Sequence, residues 1–222
     1  MEVVLNLVIY TFITGSIYCI IALGFSLVFG VAEVLNLMHG VYYMISGYFV
    51  YTYYMVFHDM TIAILLAILS TTAFGAISYL IIYPALESPF KTLISTFAVG
   101  GAVSEILFIV YGVTTYGIPN IVPGGFMVLN IPVIKQAVLA AGIALLVFGC
   151  FILFLKRSDM GRAMRAVAQN EDIAKLCGID INVVKFTTIT TAALLSSVAG
   201  AFYLPLQSLH PALWMKITVL SF

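Results

Sequence analysis

The chain has 222 residues, 63% of them hydrophobic and 8% charged, with a net charge of zero at pH 7 and a mean hydropathy of +1.17. Soluble domains carry roughly 25% charged residues, so this composition excludes a water-soluble globular protein. With no basic face, it also offers nucleic acid nothing to bind. The apolar runs are long and do not alternate, which excludes a β-barrel and predicts an all-α, polytopic transmembrane bundle of about six complete spans and a partial seventh.

The first predicted span runs from about Val3 to Val31, where Ser26 and Gly30 form a small-xxx-small pair suited to close helix approach. A polar interruption follows, carrying Glu33, Asn36, His39 and Gly40. It is too short and too apolar for an exposed loop and reads as a broken helix, which membranes tolerate only inside protein or along a cavity. The second span covers about Val41 to Phe57 and is rich in Tyr. A tight turn at His58 and Asp59 leads to the third, about Thr61 to Tyr83. Pro84 to Lys91 reads as a turn, and the fourth span covers about Thr92 to Tyr111 with Glu105 inside it. Residues 112–134 form a Gly- and Pro-rich outer loop, read as a small folded cap. The fifth span is about Ile134 to Leu155.

Residues 156–185 then hold six of the nine Lys and Arg residues: Lys156, Arg157, Arg162, Arg165, Lys175 and Lys185. Two short helices are predicted here, Arg162 to Ala168 and Asn170 to Cys177. Asn170 is suited to an N-cap and Gly178 to a left-handed C-terminal cap, with Ile173, Leu176 and Cys177 on one face. The sixth span is about Phe186 to Gln207, with a second small pair at Ser196 and Gly200. Ser208 to Lys216 reads as a polar turn and Ile217 to Phe222 as the start of an incomplete span, which leads us to expect a C-terminally truncated form of a longer protein.

Basic residues of short loops stay cytoplasmic. Placing 156–185 inside puts its six basic residues and Lys91 in the cytoplasm and leaves Lys135 and Lys216 outside. The expected orientation therefore has the N-terminus outside.

An acid in mid-span costs about 2.5–3.5 kcal/mol on insertion scales. Glu105 is thus a candidate for the wall of a translocation path, or for an interhelical hydrogen bond to a Thr or Ser. Asn36 and His39 are candidates for a substrate or gate contact at the helix break, or for satisfying the backbone groups that the break frees. Thr187, Thr188, Thr190 and Thr191 read as back-bonded helix residues, and Trp214 as interfacial belt or core. Cys19, Cys150 and Cys177 lack metal-ligand spacing and are expected as free thiols. The sequence shows no HExxH, phosphate loop or GxSxG, so we expect no catalytic residues, metal or cofactor.

Three stretches resemble branched-chain amino acid ABC transporter permeases. Gly15 to Gly30, running into the "NFAHG"-like segment Asn36 to Gly40, is similar to that family's first span. Thr96 to Gly112 resembles its "TLGxSxxLQN" span. Gly161 to Ala168, with Ala174 to Gly178, looks like its "GRAxRAxA…LLGI" cytoplasmic loop. The resemblance implies one transmembrane permease domain over 1–222. Its partners would be ABC ATP-binding subunits, a second permease subunit, an external solute-binding protein and the lipid bilayer. It further implies that 156–185 is a coupling loop, with Gly161, Arg162, Arg165, Asp172, Ala174 and Gly178 engaging the ATPase, and that the protein is a multi-pass component of a prokaryotic inner membrane. Urea or short-amide permeases of the same family, an ion-coupled transporter using Glu105, a non-transporting fragment and an intramembrane enzyme are the alternatives.

Overall fold

The computed structural model describes residues 2–82, 88–128 and 131–221. Of the turn expected at Pro84 to Lys91, residues 84–87 lie outside them, and Pro89 to Lys91 are instead the first turn of α4. Among the described residues are nine α-helices: α1 (Glu2–Ala32), α2 (Met38–Phe57), α3 (Met60–Ile82), α4 (Pro89–Tyr111), α5 (Lys135–Arg157), α6 (Asp159–Gln169), α7 (Glu171–Leu176), α8 (Ile181–Tyr203) and α9 (Leu213–Ser221). A hairpin of β1 (Gly125–Val128) and β2 (Ile131–Ile134) lies between α4 and α5. The protein is an all-α polytopic membrane bundle in which this hairpin is a small exception.

Five helices, α1, α3, α4, α5 and α8, are long and apolar enough to cross a membrane. The expected second span, α2, is long enough, but Tyr42, Tyr43, Tyr48, Tyr51, Tyr53 and Tyr54 lower its hydropathy. It does not need a lipid-compatible surface, because most of it is buried among α1, α3, α8 and α9. α8 is the other central helix, with 67% of its most apolar window buried against 17% for α4. The expected polar turn Ser208 to Lys216 gives way at Leu213 to α9, which has Trp214 and Ile217 buried and sets the Trp214 carbonyl and Thr218 against Gly40 of α2.

Local chemistry sets the helix ends. His58 takes a left-handed conformation after α2, and the Asp59 carboxylate accepts the Thr61 and Ile62 amides at 2.8 and 3.1 Å to start α3. Pro89 opens α4, where its missing N–H costs nothing. Ser158 accepts the Gly161 amide at 2.9 Å and so joins α5 to α6. The Asp180 carboxylate accepts the Asn182 amide at 2.9 Å ahead of α8.

Close approach relies on small residues. The Gly200 Cα sits against the Tyr43 carbonyl and Ser46, and Gly75 against Ala193. α4 lays a stripe of Thr92, Thr96, Gly100 and Ser104 on the bundle, one residue every four. At the end of the bundle that carries the hairpin, the Gln136 amide accepts from Ile121 at 3.1 Å and donates to the Phe202 carbonyl at 2.8 Å, tying loop, α5 and α8 together. Thr187, Thr190 and Thr191 donate to the carbonyls four residues back. Thr188 is buried without a partner.

Candidate functional site

Two regions gather the residues singled out by the sequence. The first is the break between α1 and α2. α1 ends at Ala32 and Glu33 adopts a left-handed conformation, φ 53°. The chain then turns back into the bundle, so that α2 starts beside the middle of α1. His39, buried to 2% exposure, donates from Nε2 to the Ile21 carbonyl at 2.7 Å, and the Ser196 hydroxyl of α8 lies 2.8 Å from Nε2 and 3.0 Å from Nδ1, the nitrogen left to accept from it. Gly24 of α1 leaves room for the imidazole.

Three backbone groups of the break find side-chain partners. The Asn36 Oδ1 accepts the Met38 amide at 2.9 Å. The Thr96 hydroxyl of α4 accepts the Leu37 amide at 3.2 Å. The Thr218 hydroxyl of α9 donates to the Leu37 carbonyl at 3.3 Å. Sequence reasoning missed Thr96 and Thr218 as partners. The four-residue stripe through Thr92, Thr96, Gly100 and Ser104 was the signal that could have found the first.

Glu105 does not join them. It is exposed on the outward side of α4, with no ion pair or hydrogen bond among the described residues. An interhelical bond from Glu105 to a Thr or Ser of this chain is therefore not formed. Its neighbour Ser104 points inward and donates to the Pro211 carbonyl at 2.8 Å.

The second region is α6 with α7. Gly161 is buried where a Cβ would strike the Phe154 and Leu155 carbonyls, so it sets how closely α6 folds against the end of α5. Arg162 pairs with Asp159, one turn away and exposed. Arg165 lies on the side of α6 that faces α1 and α5. In α7, the Asn170 Oδ1 accepts the Ile173 amide at 2.9 Å, as an N-cap should. At the other end, Gly178 has φ +83°. The Gly178 amide bonds to the Lys175 carbonyl at 3.0 Å and the Ile179 amide to the Ala174 carbonyl at 3.1 Å. This is a Schellman motif.

Ala174 is buried, whereas Asp172 is exposed. Ile173 is 59% exposed and Leu176 87%, so the apolar face of α7 points away from the bundle. Lys185 of α8 reaches Glu171 at 2.8 Å and fastens α7 to α8. Cys19, Cys150 and Cys177 are free thiols, and no metal-type cluster occurs among the described residues.

Residues 7–218 match the family described as branched-chain amino acid transport system / permease component. The chain belongs to this family. Over 202 residues it is 28% identical to the high-affinity branched-chain amino acid transport system permease protein BraD of Pseudomonas aeruginosa, covering 84% of this chain and 66% of that protein. The LivH permease proteins of Salmonella typhimurium and Escherichia coli K12 are 24% identical over the same shares. The chain thus spans just under two thirds of the length of these curated relatives. No solved structure matches it significantly. The family is one of transport permeases and not of enzymes. The apolar helices and the permease relatives make this a multi-pass membrane protein.

Proposed function

We propose that this chain is the membrane-spanning permease subunit of an ATP-driven importer for branched-chain or related small amino acids, forming one transmembrane domain over 1–222. The match across residues 7–218 carries this reading. ATP-binding subunits, a second permease and an external solute-binding protein complete the assembly. The N-terminus and the loop 112–134 face outward and residues 156–185 face the cytoplasm, in accord with the distribution of basic residues.

The uncovered face of α7 supports a coupling role. Ile173 and Leu176 offer apolar surface, Arg162 and Asp172 flank it with charge, and Gly161, Ala174 and Gly178 fix its shape. Arg165 completes the coupling loop from the bundle-facing side of α6. A push on α7 passes through Glu171 and Lys185 to α8. Ser196 of α8 holds His39 at the helix break, so α8 links the ATPase face to the point where α1 and α2 meet. Alternating access then follows from movement of α8 against the other spans.

Asn36 and His39 shape the path from within the bundle. Glu105 faces outward and meets the path only where a second permease covers α4. That placement gives no support to a transporter working through Glu105 in a single subunit. Urea or short amides fit the same fold, and the external binding protein selects among solutes.

The test is capture of the ATPase from native membranes with the tagged chain as bait. Wild type should retain an ATP-binding subunit and nucleotide hydrolysis, while Ile173→Glu with Leu176→Glu should lose both and still fold, since both side chains are exposed. Equal capture by the variant would remove the coupling role from α7. Absence of any ATPase with the wild type would remove the importer reading.

A further inference from the structure

The small pair Ser26 and Gly30 was expected to receive another helix. Its counterpart on α8 does so, for Gly200 touches the Tyr43 carbonyl of α2. Gly30 does not: a Cβ built there meets nothing within 4 Å. Instead the pair opens into a trough of about 240 Å³ between α1, α5 and α6. Its walls are Leu23, Leu27 and Val31 of α1, Phe151 and Leu155 of α5, and Met164 of α6.

One charged side chain lines this trough, that of Arg165. Arg165 is exposed and has neither an ion pair nor a hydrogen bond among the described residues. No acid lines the trough. The nearest acid on the same helix, Asp159, is taken by Arg162. Lys156 and Arg157, in the last turn of α5, add positive charge at the same end of the bundle.

We propose that the trough holds an acyl chain of an anionic phospholipid whose phosphate is bound by Arg165. Charge favours this occupant, because an unpaired cation and no acid line the trough. From Leu23 to Val31 the trough runs eight residues, about 12 Å at 1.5 Å per residue. A single acyl chain is slender enough, and α6 follows directly from the end of α5 to place a cation at the headgroup level. Basic pockets between spans recruit anionic headgroups by this combination of charge and apolar contact. Arg165 also belongs to the coupling loop proposed above, but the inference needs only its place in the trough and does not involve Ile173 or Leu176 of α7.

The experiment is native mass spectrometry of the full chain, extracted in mild detergent and titrated with phosphatidylglycerol, phosphatidylethanolamine or inorganic phosphate. One phosphatidylglycerol should stay bound per chain. Arg165→Gln should weaken its retention about fivefold, and Gly30→Leu, which fills open space, should weaken it as well. Arg162→Gln should leave it unchanged, and thermal unfolding should show all three variants folded. Equal retention of both lipids by every variant would overturn the proposal. So would binding of inorganic phosphate alone with the same dependence on Arg165, or a dimer that Gly30→Leu dissolves.

Discussion

At His39 a single side chain holds three spans in register. Its ring donates to the Ile21 carbonyl of α1 and lies within hydrogen-bond reach of the Ser196 hydroxyl of α8. Hydrogen bonds between membrane helices average about 0.6 kcal/mol, with a maximum near 1.7. A double-mutant cycle of His39→Ala and Ser196→Ala, read from unfolding in detergent, should return a coupling in that range. A coupling of zero would mean that the contact only fills space. At the next residue of α2 the contacts are tighter: Gly40 has the Trp214 carbonyl and Thr218 directly against it. Gly40→Ala should therefore force α2 and α9 apart and cost roughly 1–3 kcal/mol, whereas Gly15→Ala, with open space around it, should cost nothing measurable by the same assay. The polar break was legible because Asn36 and His39 stand out in an apolar run. Their partners were not, because Ser196 is 157 residues away from His39 and no local pattern encodes that pairing.

At the scale of an element, α7 shows what local sequence does encode. Caps act over three or four residues, so Asn170 and Gly178 could be placed by inspection, and the structure puts both where they were expected. Six residues make too short a helix to persist without help, and the caps together with the Glu171–Lys185 pair provide it. Asn170→Ala should cost about 1 kcal/mol, and Gly178→Ala about 1–2 kcal/mol for a left-handed alanine. Both losses should appear as faster amide exchange in α7 with the exchange of α2 and α8 unchanged. Slowed or unchanged exchange in α7 would show that tertiary contacts, and not the caps, hold it. Elements whose form depends on neighbours were less legible. The Tyr-rich α2 looked like an ordinary span, yet Tyr42, Tyr43 and Tyr48 are buried because neighbouring helices surround that part of it, while Tyr51, Tyr53 and Tyr54 are half-buried. The hairpin of β1 and β2 was visible only as a compact loop, since four-residue strands leave too short a pattern to read.

For the whole molecule, the open question of orientation follows from where its charges and thiols lie. The bundle places Lys156, Arg157, Arg162, Arg165 and Lys175 together around α6 and α7, and the positive-inside rule assigns that end to the cytoplasm. The three native cysteines report on this directly, because all are free and none is covered by the chain. Cys177 ends α7 in the polar loop. Cys19 lies within α1 and Cys150 within α5, both apolar spans. A charged reagent reaches thiols in water and does not enter the hydrocarbon core. A membrane-impermeant maleimide should thus label Cys177 alone in inverted vesicles and nothing in intact spheroplasts, with Cys177→Ser abolishing the signal. Labelling of Cys177 from outside would invert the topology and take α7 away from any cytoplasmic ATPase. Labelling of Cys19 or Cys150 in sealed vesicles would mean that α1 or α5 borders water and not lipid, and the trough between them would then open into an aqueous path.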